Sequence, residues 1–263
     1  MPTTDHLRLE SATSRVEIDL GDGGRIRTWH IGDTQVLATT GAAYARGLFV
    51  MAPWVGRTRE ARFDVDGRTV ELPATLAPHA LHGTVWSTRW ESDGDGWIRA
   101  DLTDEWPFAG FVRQQIVLSD TGLDLRLELH ATDEPMPGDL GWHPCFRRRI
   151  EGGEPAELSF AATTMYVREA DGVTGRRTTE PTPGPWDDCF TDLTDPATVT
   201  WPGRLAIDVT STLSHLVVFD EWPTMVAIEP QSGPPDSLNS GPHVIHPGQP
   251  LVAESTWRWR VPE

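Results

Sequence analysis

GLDLRLELHAT, residues 122–132, alternates apolar and polar side chains without a break from Leu123 to His130. Successive side chains of an extended chain point to opposite faces. Leu123, Leu125, Leu127 and Leu129 therefore fall on one side, and Asp124, Arg126, Glu128 and His130 on the other. This period of two predicts a half-buried strand with its leucines on a core. The same alternation recurs in SRVEIDL (14–20), RIRTWHI (25–31), AELSFAATTMYVRE (156–169), RLAIDVTST (204–212) and HLVVFDE (215–221). Turn-forming runs separate the strands: GDGG (21–24), DVDGR (64–68), SDGDG (92–96), SDTG (119–122), EGGEP (151–155) and EADG (169–172). With 24 Gly and 22 Pro in 263 residues there is little room for long helices, and no amphipathic helix is evident. Many short strands with regular turns predict an all-β fold, a large antiparallel sandwich or barrel. No linker-like run divides the chain, and the Pro-rich EPTPGPW (180–186) reads as a rigid internal loop. A single domain over 1–263 is expected.

Composition narrows the chemistry. The formal net charge is -17, which repels phosphate backbones and anionic surfaces, so neither nucleic acid nor membrane is expected as a partner. No apolar stretch is long enough to span a bilayer. The N-terminal MPTTDHLRLESATSR lacks a basic start followed by an apolar run, so no secretory signal is expected and a soluble cytoplasmic protein is. The chain contains no lysine. That excludes a lysine Schiff base, pyridoxal phosphate attachment included, and a standard phosphate-binding P-loop. Two widely spaced cysteines, Cys145 and Cys189, make neither a zinc motif nor a disulfide framework and read as free thiols near the candidate site.

Five segments break the alternation and concentrate chemically capable residues: MAPWVGRTREARF (51–63), HALHG (79–83), GWHPCF (141–146), PWDDCF (185–190) and IEPQSGPPDSLN (228–239). Arg57 follows a strand-ending Pro and Gly, where it can reach into a cleft or pair with a surface acid. His79 and His82 form H-x-x-H, but the flanking sequence reads as loop and further metal ligands are not evident. Pro144 biases His143 toward extended geometry, and Gly141 permits a bend before it. Of the adjacent Asp187 and Asp188, an extended chain turns only one inward. Glu229 ends the apolar run TMVAI, a costly place for a charge unless it is used or paired, and desolvation there would raise its pKa toward that of a useful base. Trp54, Trp86, Trp142 and Trp222 lie near these segments. Flat indoles stack on sugar faces, and core packing explains any one of them equally well. Trp142, beside His143, is the substrate-binding candidate among them.

The order Arg, His-Gly, Gly-x-His-Pro-x-Phe, Asp-x-x-Phe, Glu-Pro resembles the aldose 1-epimerase (mutarotase) superfamily. So do the opening GGRIRTWHIGDTQVL (23–37) and PFAGFVRQQIVLSDTGLDLRLELHATDEPMPGDLGWHPCF (107–146), and the resemblance spans roughly residues 15 to 260. It implies a galactose mutarotase-like β-sandwich with a sugar across one concave sheet, and neither cofactor nor metal. Carried over motif by motif, it implies His143 as general acid and Glu229 as general base. It implies His82 toward the ring-oxygen side, and Arg57 with one of the Asp pair on hydroxyls, Asp187 by its spacing and Asp188 as the fallback. One departure stands out: where galactose mutarotases resemble one another in a Pro-Gly-Glu, this chain has HPGQP with Gln249. A neutral amide cannot take the proton, so Glu229 is the expected base, as in the hexose-6-phosphate mutarotase-like branch, and Arg57, Arg59 and Arg62 are candidates for a phosphate. The expected reaction interconverts the α and β anomers of a hexose or hexose 6-phosphate. For His143 to act as an acid, its pKa should not fall far below 6.5. The expected partner is a small sugar and the expected assembly a monomer or homodimer. Two other readings compete: a non-catalytic carbohydrate-binding module on the same fold, and a metal enzyme using His79, His82, His143 and Glu229.

Overall fold

The computed structural model describes residues 5–261, so the first four residues of the N-terminal stretch read above lie outside it. Gly122–Ala131 is a strand, with Leu123, Leu125, Leu127 and Leu129 all buried. It lies between Gly110–Leu118 and Leu251–Arg260, both antiparallel to it. Its polar face forms cross-strand ion pairs: Arg113 sits directly opposite Glu128, with Nε 2.7 Å from Oε2. Eight strands make up this sheet, and a second sheet has twelve. The fold is a sandwich of two antiparallel sheets rather than a closed barrel. Among the described residues the only α-helix is the four-residue Ser237–Ser240.

The two sheets share one apolar cluster. The twelve-stranded sheet contributes Trp29, Trp142, Phe190, Val218 and Ile228, and the eight-stranded sheet contributes the four leucines with Val112, Ile207 and Trp257. The central strands of the twelve-stranded sheet carry a second, smaller cluster that includes Phe49, Met51, Cys145, Met225 and Ala227. Alternation thus divides these strands between two buried environments, which is why LFVM (48–51) and MVAIEPQ (225–231) are buried throughout. The second environment holds the site.

Candidate active site

The neighbour order in the sheet runs from Leu48–Met51 to Gly141–Pro144, Met225–Gln231, His215–Phe219 and Asp187–Leu193. His143 pairs with Phe49 on one side. On the other, Gly141 pairs with Gln231, and following that antiparallel register two residues along brings His143 opposite Glu229. Val217 pairs with Glu229, and Cys189 with Val217. A single row of side chains therefore crosses five strands, and His143 Nε2 lies 3.3 Å from Glu229 Oε1. Gly141 acts differently from the bend expected of it. It sits inside a paired strand, where a Cβ would come within 2.6 Å of the Pro230 carbonyl oxygen. The absent side chain lets the His143 and Glu229 strands close on each other.

The pair lies at the floor of a cleft enclosing about 680 Å³, its open mouth included. Arg57, His82, Asp187 and Asp188 line the same cleft, and Tyr44, Phe219, Trp222 and Met225 give it an apolar side. His143 is 6 % exposed and Glu229 3 %. Burial penalises charge on both, pulling the His143 pKa down to about 3 and pushing Glu229 well above the usual carboxylate range, with Asp187 adding to the rise. This corrects the expectation of a readily charged His143. Desolvation thus favours the neutral form of each group. The His143 ring is stacked on Phe49 (centroids 4.6 Å apart, planes at 16°) and meets His82 edge-on at 4.8 Å.

His82 occupies a left-handed conformation (φ 62°), followed by Gly83 at φ 81°. A Cβ at Gly83 would lie 1.9 Å from the Ala52 carbonyl oxygen, so only glycine allows this turn to press against the strand end and present the imidazole. The Nδ1 of His82 is buried with no hydrogen-bond partner among the described residues. Burial, and then the neighbouring His143, hold its pKa well below the ordinary value. His79 is elsewhere: its Nδ1 accepts the Glu60 N–H (3.1 Å) and its Nε2 faces the Asp171 carbonyl (3.3 Å). The H-x-x-H spacing therefore does not bring two ligands to one point. Among the described residues, no group of three or more His, Cys, Asp or Glu is arranged to hold a metal ion.

Arg57 Nη2 bonds Asp187 Oδ2 at 2.9 Å, and its Nη1 bonds the Gly172 carbonyl at 2.9 Å. Asp187 pairs with Phe219 in the sheet and shares its site face. Both aspartates line the cleft, where alternation predicts only one of them turned inward. Arg168, which sequence reading passed over, lies 3.2 Å from Asp187 Oδ2 and 3.3 Å from Asp188 Oδ1, and so ties the two together. Only Asp187 also reaches Arg57. Arg168 stood in an alternating strand, but nothing in its own segment named partners so distant in the chain.

Trp142 is placed differently from its expected role. Alternation turns it away from His143 to the core face, where it is 0 % exposed and its indole N–H donates to Gln114 Oε1 at 2.7 Å. Trp222 is the tryptophan at the cleft, 37 % exposed and packed edge-on against Phe219. Arg59 pairs with Asp171 and Asp236, and Arg62 with Glu60, all outside the cleft lining. Gln249 lies exposed in a turn closed on the His246 carbonyl.

Fold and site together define a class: a galactose mutarotase-like β-sandwich with a buried histidine–carboxyl pair at the floor of a polar cleft. Residues 6–261 match the family described as aldose 1-epimerase, and the chain belongs to that family. Membership supports a mutarotase-type carbohydrate epimerase activity in general. No curated protein matches the chain in sequence. A putative aldose 1-epimerase from Escherichia coli K12 superposes with TM-score 0.84 at 20 % identity, covering 98 % of this chain and 99 % of that one. A galactose mutarotase-like protein from Clostridium acetobutylicum gives 0.83 at 15 %, covering 98 % and 95 %. The galactose 1-epimerase from Lactobacillus acidophilus NCFM gives 0.76 at 14 %, also covering 98 % and 95 %. At these identities the likeness is one of fold. Among the described residues, no helix is long and apolar enough to cross a membrane.

Proposed function

We propose that the protein is an aldose 1-epimerase acting on an unphosphorylated reducing hexose, with His143 and Glu229 as its acid–base pair. The observation that carries this reading is the 3.3 Å contact between a buried imidazole and a buried carboxyl at the floor of the cleft. Anomer interconversion removes a proton from the anomeric hydroxyl and gives one to the ring oxygen. The C1–O5 bond then breaks, the aldehyde rotates, and the ring closes on its other face. Transfer of the shared proton from Glu229 to Nε2 arms His143 as the acid and leaves a carboxylate base. Both forms of the pair carry the same number of protons, so arming needs no exchange with water; ring opening leaves neutral His143 and protonated Glu229, ring closure reverses both transfers and returns the armed pair, and the proton then passes from Nε2 back to Glu229. Arg57, His82 and Asp187 are suited to hold hydroxyls around the reacting centre.

Charge favours the neutral sugar over the 6-phosphate. Asp187 and Asp188 line the cleft, while Arg57 is the one arginine of its described lining and already pairs with Asp187. Arg168 is committed to Asp187, Asp188 and Glu221. No lysine exists to supplement them, and the net charge of -17 opposes a phosphate dianion. Anomer exchange by NMR over a panel of free and 6-phosphorylated hexoses tests this. Catalysed exchange of a free hexose is expected, with His143→Asn and Glu229→Gln each losing about 10²–10⁴-fold while unfolding as the wild type does. Exchange confined to a 6-phosphate would sink the charge argument and leave the epimerase standing. No exchange at all, with sugar binding in a titration, would favour the non-catalytic module.

A further inference from the structure

Behind the acid–base pair, outside the cleft lining, lies Cys145. It is 0 % exposed and two residues along the same strand face from His143. Its sulfur is 3.5 Å from His143 Nδ1 and 3.7 Å from the Tyr44 carbonyl oxygen. We infer that Cys145 is a positioning residue. Its thiol donates to the Tyr44 carbonyl, its sulfur accepts the Nδ1 proton of His143, and His143 therefore rests with Nε2 unprotonated toward Glu229.

The argument counts protons. A carbonyl oxygen only accepts, so the contact with Tyr44 is a hydrogen bond only if the thiol supplies the proton. The sulfur lone pairs then remain for an N–H, and the nitrogen facing them is Nδ1. Which nitrogen of a histidine carries its proton is set by the partner of the other. Nε2 keeps its lone pair and faces the Glu229 carboxyl at 3.3 Å. Tyr44, Cys145 and His143 then have matched partners along this chain and carry no net charge. Desolvation favours the same state, holding the thiol proton in place and disfavouring imidazolium.

The packing keeps the ring from turning over. His143 is stacked on Phe49, and the guanidinium of Arg25 lies 5.1 Å from the Phe49 ring centroid. Arg25, 1 % exposed, donates to the carbonyls of Asp22, Ala43, Arg46 and Trp86. Ala43 and Arg46 flank Tyr44, so one buried cation braces both the stack under His143 and the carbonyl that receives the thiol proton.

The test combines ¹⁵N-histidine NMR of the full chain with anomer-exchange kinetics. The kinetic arm rests on the epimerase reading; the NMR arm does not. In the wild type at neutral pH, His143 should show a protonated, pyrrole-type Nδ1 and a pyridine-type Nε2. In C145A the two tautomers should mix, and kcat should fall about five- to tenfold, the worth of one modest hydrogen bond, with KM changed less than about twofold. C145S, whose hydroxyl can make the same two bonds, should recover the wild-type tautomer and most of the rate. A thermal melt of C145A separates this effect from loss of fold, and C145S carries the test if C145A does not fold. An imidazolium, or a proton on Nε2, in the wild type overturns the inference. So does a C145A protein whose His143 keeps the wild-type tautomer, whatever its rate.

Discussion

At the scale of single residues, the site depends on burying two ionisable groups in contact. A carboxylate at the end of TMVAI was legible from the sequence as an expensive charge, and Glu229 is indeed 3 % exposed with its pKa raised. The protonation of His143 was not legible, because it depends on how much water the fold removes from the ring. The consequence is a testable pH–rate profile. The pair is spoiled when His143 becomes an imidazolium, near pH 3, or when Glu229 loses a proton that burial holds beyond the usual carboxylate range. kcat/KM should therefore lack the inflection of an ordinary histidine near pH 6.5, and its decline with rising pH should follow the loss of the Glu229 proton. An acid-limb inflection near 6.5 that disappears in His143→Asn would contradict the neutral resting state.

At the scale of elements, the wall of the cleft is held by one buried carboxylate. Asp139, 0 % exposed, accepts from Ser232 Oγ (2.6 Å), Ser237 Oγ (2.5 Å) and His243 Nδ1 (2.9 Å). These three residues span the segment whose Pro235 lines the cleft. The anchor of this segment lies about a hundred residues earlier in the chain, too far for any local pattern to name it. Bonding to Asp139 raises the His243 pKa above its ordinary value. Below the unfolded value, near 6.5, both states are protonated and the full stabilisation is present. As pH rises through the folded value the stabilisation is lost. The melting temperature of the wild type minus that of His243→Gln should therefore be largest below about pH 6.5 and shrink as pH rises. A difference that stays constant over that interval would show that the contact does not titrate. His243 is about half exposed, so the effect should be modest.

At the scale of the molecule, the sandwich uses both faces of its larger sheet. One face packs on the eight-stranded sheet and the other carries the cleft, so neighbours in the chain do opposite work. Trp142 and His143 show it. The indole belongs to the core and bonds Gln114, itself 1 % exposed. Trp142→Phe should strand that amide and cost about 1–3 kcal/mol in denaturant unfolding, while KM for the sugar stays near the wild-type value. A raised KM without loss of stability would return Trp142 to the substrate.

The strands, the turns between them, the all-β class and the five segments that build the cleft were all written locally. Period-two alternation, Gly and Pro punctuation and charges at strand ends are properties of neighbours in the chain. Their ordered motifs already resembled the family to which the chain belongs. What only the tertiary structure decided depends on register and depth. It turned Trp142 inward and His143 outward, brought Arg168 to both aspartates and Asp139 to His243, and moved His79 away from His82. It also moved the pKa values of His143 and Glu229 away from their ordinary ranges, because desolvation is a property of the closed fold, and no window of sequence measures how much water has been removed from a side chain.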